Sequence, residues 1–123
     1  MDAKVLKAIG DPRRFELLQL MSNRGYCVRA LARRSRLTES AVSQHLKVLR
    51  EAGLIFGIRI GYYTHYRVDR DALGRVIAEQ EMIRSAERKP CDGPFYGCPE
   101  SEYVRCRSYV PPEERAKTED GTC

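Results

Sequence analysis

The chain has 123 residues, enough for one small hydrophobic core and hardly for two. Its formal charge is +5, no stretch approaches the ~20 apolar residues of a membrane span, and residues 1–10 lack the apolar centre of a secretory signal. A cytoplasmic location is therefore expected, where an odd set of five cysteines argues against a structural disulfide framework and for metal binding or thiol chemistry.

Residues 4–9 predict a first helix with Val5, Leu6 and Ile9 as its apolar positions. Asp11 then caps a second helix, with Pro12 at its first position and Phe15, Leu18 and Met21 facing the core. The run CVRALARRSRL supplies a short third helix with Val28, Leu31 and Ala32 on one side, followed by a tight connection at residues 35–37. Residues 38–54, TESAVSQHLKVLREAGL, carry two signals at once. Ala41, Val42, His45, Leu46 and Leu49 recur at helical spacing as a buried stripe, while Ser40, Ser43, Gln44 and Lys47 fall on the opposite side. Thr38 caps the start and Gly53 ends the helix in the left-handed conformation. Taken alone, that polar face also fits an ordinary solvated surface. Placed behind a short helix and a tight turn it makes a helix-turn-helix, whose second helix reads base edges.

The next stretch, LIFGIRIGYYTHYRV, reads as two short strands around a turn at residues 60–62, with Thr64, Tyr66 and Val68 alternating against Tyr63, His65 and Arg67. A hairpin there is a wing. Arg59 and Arg67 beside Tyr62 and Tyr63 give it cationic and aromatic groups of the kind that contact phosphates and a minor groove, whereas Tyr66 is expected in strand packing. Charge is placed to match: residues 24–75 hold 11 Lys or Arg against 4 Asp or Glu, and Arg24, Arg29, Arg33, Arg34 and Arg36 cluster around the motif. Residues 85–123 are net −2, so the positive field belongs to the head. After the wing, Asp69 or Asp71 starts a longer helix whose Leu73, Val76, Ile77 and Ile83 form a narrow apolar seam. Such a seam needs a partner, and a second copy is the better reading because one winged helix covers little DNA.

The segments LKAIGDPRRFELLQLM, YCVRALARRSRLTESAVSQHLKVLREAGLI and GYYTHYRVD resemble the ArsR/SmtB family of bacterial winged-helix repressors over residues 4 to 84. The most specific parts are Gly-Asp-Pro-x-Arg at Gly10 to Arg14 and the Ser-x-x-Ser-x-x-Leu-x-x-Leu-x-x-Ala-Gly-Leu run from Ser40. The resemblance implies a mainly α fold with a small β-hairpin, a homodimer built on the first and last helices, and binding of double-stranded operator DNA. It also implies release when a metal ion, metalloid or oxidant reaches a sensing site. On this reading Arg36, Ser40, Ser43, Gln44, Lys47, Arg59, Tyr62 and Tyr63 are the DNA-contacting residues. The Cys-Val-Cys-Asp-Leu element of arsenic-responsive members aligns with Cys27, Val28, Arg29, Ala30 and Leu31, so its second cysteine is missing; the Asp and His zinc site of other members has no histidine to use between residues 71 and 89.

Residues 1–88 are thus expected to form the DNA-binding and dimerisation domain, and residues 89–123 a cysteine-rich, partly disordered tail. Five of the six prolines and four of the five cysteines lie in that tail. Cys91, Cys98 and Cys106 are separated by six and seven residues around Gly93, Pro94 and Gly97, turns that can fold three sulfurs toward one point. Three thiolates without a nearby histidine select a thiophilic ion: As(III) or Sb(III) with three sulfurs, or cadmium, lead or zinc with a fourth from Cys123 or Cys27. A reversible disulfide switch and a tail that recruits a protein partner remain as alternatives. An enzyme does not fit, since His45 and His65 are the only histidines and neither has a sequence-level acid and nucleophile beside it.

Overall fold

The computed structural model describes residues 2–89, 97–106 and 110–115. The chain divides into two compact units, Met1–Met82 and Ile83–Cys123.

The first unit opens with α1 (Ala3–Ile9) and α2 (Pro12–Met21). The joint between them explains the Gly-Asp-Pro-x-Arg element. The Asp11 carboxylate accepts from the amides of Arg13 at 2.9 Å and Arg14 at 3.1 Å, and Pro12 follows as the first helical residue, where no amide is needed. Arg14 then reaches back: its Nε donates to the Ala8 carbonyl at 2.8 Å and its Nη2 to the Lys7 carbonyl at 2.9 Å, satisfying two acceptors at the end of α1. The amide of Arg14 is the main reason the Asp11 carboxyl lies below its ordinary pKa; the Arg13 amide and the charges of Arg14 and His45 add to that, against desolvation.

From α3 (Val28–Ser35) the chain turns into α4 (Glu39–Glu51), then into the strands β1 (Ile55–Ile60) and β2 (Tyr63–Val68) and the long α5 (Arg70–Ser85). Gly53 ends α4 at φ 76°, as its sequence position requires. Asp69 rather than Asp71 caps α5, accepting from the Ala72 amide at 3.1 Å. Ile55 pairs with Val68 and Ile60 with Tyr63, which leaves a two-residue loop, Gly61–Tyr62, with Gly61 at φ 63° and Tyr62 at negative φ, the pattern of a type II′ hairpin turn. Gly57 sits where a Cβ would stand 2.7 Å from Thr64 Cγ2, so the ladder needs a glycine there.

The core gathers Ala8 from α1, Leu17, Leu18 and Met21 from α2, Leu31 and Ala32 from α3, Val42, Leu46 and Leu49 from α4, and Leu54, Ile55, Val68, Ala72 and Val76 beyond it. One core assignment differs from the sequence reading, and in α1 the fully buried place goes to a residue that spacing does not single out. Phe15 is 50% exposed and Leu17 takes the buried place at 0%; Leu6 is 54% exposed while Ala8 is fully buried. In both helices apolar residues occupy more than one side, so spacing alone does not set the rotational phase. In α1 the small Ala8 takes the fully buried place, with Val5 and Ile9 partly buried against the core and Leu6 outside. Ser35 is likewise not part of the connection: it ends α3, buried, with its hydroxyl donating to the Leu31 carbonyl at 2.6 Å. Within α5, Ala72 and Val76 are buried, Leu73 is partly so, and Ile77, Met82 and Ile83 are exposed.

In the second unit two one-turn helices are described, α6 (Glu100–Tyr103) and α7 (Pro112–Arg115). Pro99 caps the first and Pro112 opens the second, the places in a helix where a missing amide costs least. Among the described residues no helix is long and apolar enough to cross a membrane.

Candidate nucleic-acid interface

The helix-turn-helix is set by a left-handed residue. Arg36 caps α3 at φ 61° and ψ 32°, the only non-glycine with positive φ among the described residues, and its amide bonds to the Ala32 carbonyl. The Leu37 amide also reaches the Ala32 carbonyl, at 3.2 Å, and Thr38 then caps α4 by accepting from the Ala41 amide at 3.1 Å. A bulky L-residue in this region costs roughly 1–2 kcal/mol. The three-residue connection therefore holds the second helix at a fixed angle and displays the Arg36 side chain in solvent.

On α4 the two faces separate as the pattern requires. Val42, Leu46 and Leu49 are buried, Ala41 and His45 are half-buried, and Ser40, Ser43, Gln44 and Lys47 are all exposed on the other side. Side chains of this kind on an anchored helix offer two hydroxyls, a bidentate amide and a cation to an acidic, hydrogen-bonding surface. The anchoring includes Arg14, whose Nη1 lies 3.5 Å from His45 Nδ1. Arg29 and Glu39 approach to 4.0 Å across the turn, an exposed pair of small energetic weight.

The wing presents Tyr62 at its tip, 95% exposed, with Tyr63 at 53% and Arg59 also outward. Tyr66 is half-buried and packs on the core, in agreement with the strand alternation. A contact that the sequence reading did not contain fixes the hairpin to the helix-turn-helix: the Tyr66 amide donates to the Tyr26 carbonyl at 2.9 Å, an antiparallel bridge one residue before the cap of α3. Such a bridge joins residues forty apart and leaves no local signature. Arg67, read from sequence as an outer-face wing residue, is exposed and stands opposite Phe56 near the base of the hairpin.

The cysteines are less fully described. Cys27 caps α3, half-buried and without a side-chain capping bond; Cys98 is half-buried and Cys106 exposed, all three as free thiols. Cys91 and Cys123 lie outside the described residues. Among the described residues no three of His, Cys, Asp and Glu come together as a metal-holding group.

With that geometry in place, residues 11–55 match the model of the bacterial regulatory protein, arsR family. The chain is 33% identical over 88 residues to the uncharacterized HTH-type transcriptional regulator YbzH of Bacillus subtilis, covering 59% of this chain and 88% of that protein. It is 33% identical over 88 residues to the arsenic resistance transcriptional regulator ArsR1 of Pseudomonas putida, covering 64% and 69% respectively. Among solved structures it is similar to the homodimeric winged helix-turn-helix DNA-binding domain Mb0332 from Mycobacterium bovis, a possible ArsR-family regulator, at 28% identity and TM-score 0.57, over 67% of this chain and 76% of that one.

Proposed function

The chain belongs to the bacterial arsR family of DNA-binding transcriptional regulators, and on that footing we propose that it is a cytoplasmic, dimeric repressor that releases its operator when cysteines of the C-terminal segment capture a thiophilic ion. Neither its fold nor its relatives are those of an enzyme. The observation that carries the operator reading is the exposed row Ser40, Ser43, Gln44 and Lys47 over the buried Val42, Leu46 and Leu49, continued by the exposed Arg36 and by Arg59, Tyr62 and Tyr63 of the wing. Dimerisation is supported by the homodimeric neighbour and by Leu6, Phe15, Ile77 and Met82, large apolar side chains that stay exposed within the first unit. Two copies would set their reading helices about one DNA turn, ~34 Å, apart.

The sensing part rests on composition and thiol chemistry. Cys91, Cys98 and Cys106 supply three soft ligands, with Cys27 and Cys123 as candidates for a fourth. Arsenite or antimonite suits the three, and cadmium, lead or zinc the larger set. Because residue 91 follows α5 by only a few positions, an ion captured there acts on the helix that carries Ile77 and Met82, and so on the dimer. The test is operator release under strictly reducing conditions, titrated with each ion on the full chain, on the Cys91→Ser, Cys98→Ser and Cys106→Ser variants, and on a chain ending at Lys89. Operator binding should survive every change, and the ion response should vanish in each of the three variants and in the truncation. A truncated protein that still responds removes the tail as sensor, and release that needs an oxidant instead of an ion replaces capture by a disulfide switch.

A further inference from the structure

The reading helix, the wing tip and the cysteines leave one large feature of the first unit without a role. A cavity of about 580 Å³ opens between the loop at residues 22–25, the base of the hairpin and the first turn of α5, and Arg24, Phe56, Arg67, Asp69, Arg70 and Asp71 stand in its walls. Three arginines line that space. Arg70 is tethered, its Nη2 donating to the Ser22 carbonyl at 2.5 Å, and Arg67 lies over Gly25, where an added Cβ would stand 3.4 Å from its Nε. Among the described residues no ion pair joins any of the three to a carboxylate. Asp69 is occupied with the Ala72 amide as the cap of α5. Phe56 is 44% exposed and directly opposite Arg67 in the ladder, which places the ring and the guanidinium side by side on one face of the hairpin.

Three arginines that have no ion pair among the described residues repel each other around one concavity, and two aspartates leave the lining at one positive charge in excess. An anion relieves that repulsion, and planar forked donors bind carboxylate or phosphate through paired hydrogen bonds. A half-exposed ring on the same wall favours a ligand with a flat apolar part, and the volume is that of a small-molecule pocket. The tip of the wing is not involved: Phe56 and Arg67 lie four ladder positions from Ile60 and Tyr63, about 13 Å along the strands.

We propose that this cavity is an effector site for a small organic anion bearing a planar ring, with Arg24, Arg67 and Arg70 on the anionic group and Phe56 against the ring. Its walls are the segment that leads through the Tyr26–Tyr66 bridge into α3, the base of the wing, and the start of α5. An occupant therefore touches the supports of the reading helix, the wing and the helix carrying Ile77 at once. The binding stands on this geometry alone, while its effect on operator affinity rests on the function proposed above.

The test is an amide-resolved NMR titration of the full chain with salicylate and adenosine monophosphate, against adenosine and inorganic phosphate, alongside operator binding on the same samples. Both ring anions should shift the amides of Asn23, Gly25, Phe56 and Asp71 saturably, and adenosine and phosphate should bind at least about tenfold more weakly. Arg67→Gln and Arg24→Gln, which leave the core untouched, should each weaken binding roughly ten- to hundredfold. Absence of saturable shifts for both ring anions, or equal binding of bare phosphate, overturns the proposal. So does retention of ring-anion binding in the doubly substituted chain; a fall in operator affinity there would assign these arginines to the DNA backbone. Ring-anion binding that fails while operator binding persists sinks only this site, and the converse sinks only the repressor reading.

Discussion

Arg14 gives the sharpest test of whether the most specific motif of the chain contacts DNA or holds the fold. Its side chain is 16% exposed and donates to the Lys7 and Ala8 carbonyls at 2.9 and 2.8 Å. Hydrogen bonds from a charged donor contribute about 1.5–3 kcal/mol each. The Lys7 bond is exposed and falls at the low end, whereas Ala8 is fully buried and its carbonyl would lose its side-chain donor. The 3.9 Å approach to Asp11, partly open to solvent, adds well under ~1 kcal/mol. Arg14→Ala should therefore cost about 3 kcal/mol, and at ~4–8 °C per kcal/mol for a domain of this size the melting temperature should fall by roughly 10–25 °C. Arg14→Lys keeps the charge but has no fork for two carbonyls, and should recover about half. Urea unfolding and thermal melts at one fixed protein concentration measure both, since dimer stability depends on concentration. If Arg14→Ala melts with the wild type and instead flattens the salt dependence of operator binding, the joint described above is not what this residue does.

Gln44→Ala should relax operator sequence preference, whereas Lys47→Ala should weaken binding to all sequences and reduce the salt slope by about one, both readable by fluorescence anisotropy across a salt series. Arg36→Gly removes the left-handed strain, so its effect on unfolding should lie between neutral and a gain of about 1 kcal/mol while operator affinity falls; equal losses of stability and affinity would refute the cap assignment. The Asp11 carboxyl is held below its ordinary value in the folded chain, so it contributes stability above the unfolded pKa that is lost as pH falls through the lower folded one. Asp11→Asn should accordingly flatten stability against pH on the acidic side, and an unchanged acid limb in urea titrations would count against the cap. Thr38→Ala should cost about 1 kcal/mol by loss of the bond to the Ala41 amide, checked by urea midpoint.

What the sequence disclosed was what short-range physics controls. The two faces of α4 follow from spacing within thirteen residues, the caps Asp11 and Thr38 from side chains bonding amides two or three positions on, and the wing from alternation about a Gly61 turn. Phase was harder: Leu6 and Phe15 look as apolar as Ala8 and Leu17, and only the α1–α4 and α2–α3 packing decides which side faces in. The Tyr26–Tyr66 bridge and the Arg14–His45 approach span forty and thirty-one residues, and nothing within either segment announces the other. The height of Arg67 along the wing was not legible for a related reason. Its position depends on which residue it opposes, and register becomes visible only once both strands are paired.

The Arg14 joint also bears on how a change at one surface reaches the DNA. One guanidinium bonds the end of α1, sits beside the cap of α2 and approaches His45 on α4. Leu6 on α1 and Phe15 on α2 flank this joint with exposed apolar side chains, whereas Gln44 and Lys47 stand on the opposite side of the helix that carries His45. A displacement of α1 relative to α2 therefore has to stretch bonds of 2.8 and 2.9 Å or carry α4 along. Packed, fully bonded joints of this kind switch between arrangements rather than deform smoothly. Arg14→Lys, which loosens the joint without removing charge, should then weaken the link between the proposed inducer and the operator more than it weakens either binding event alone. The readout is the ratio of operator affinities with and without inducer, compared with the affinity for each ligand by itself. An unchanged ratio in a folded Arg14→Lys protein would place the route from sensor to reading helix elsewhere.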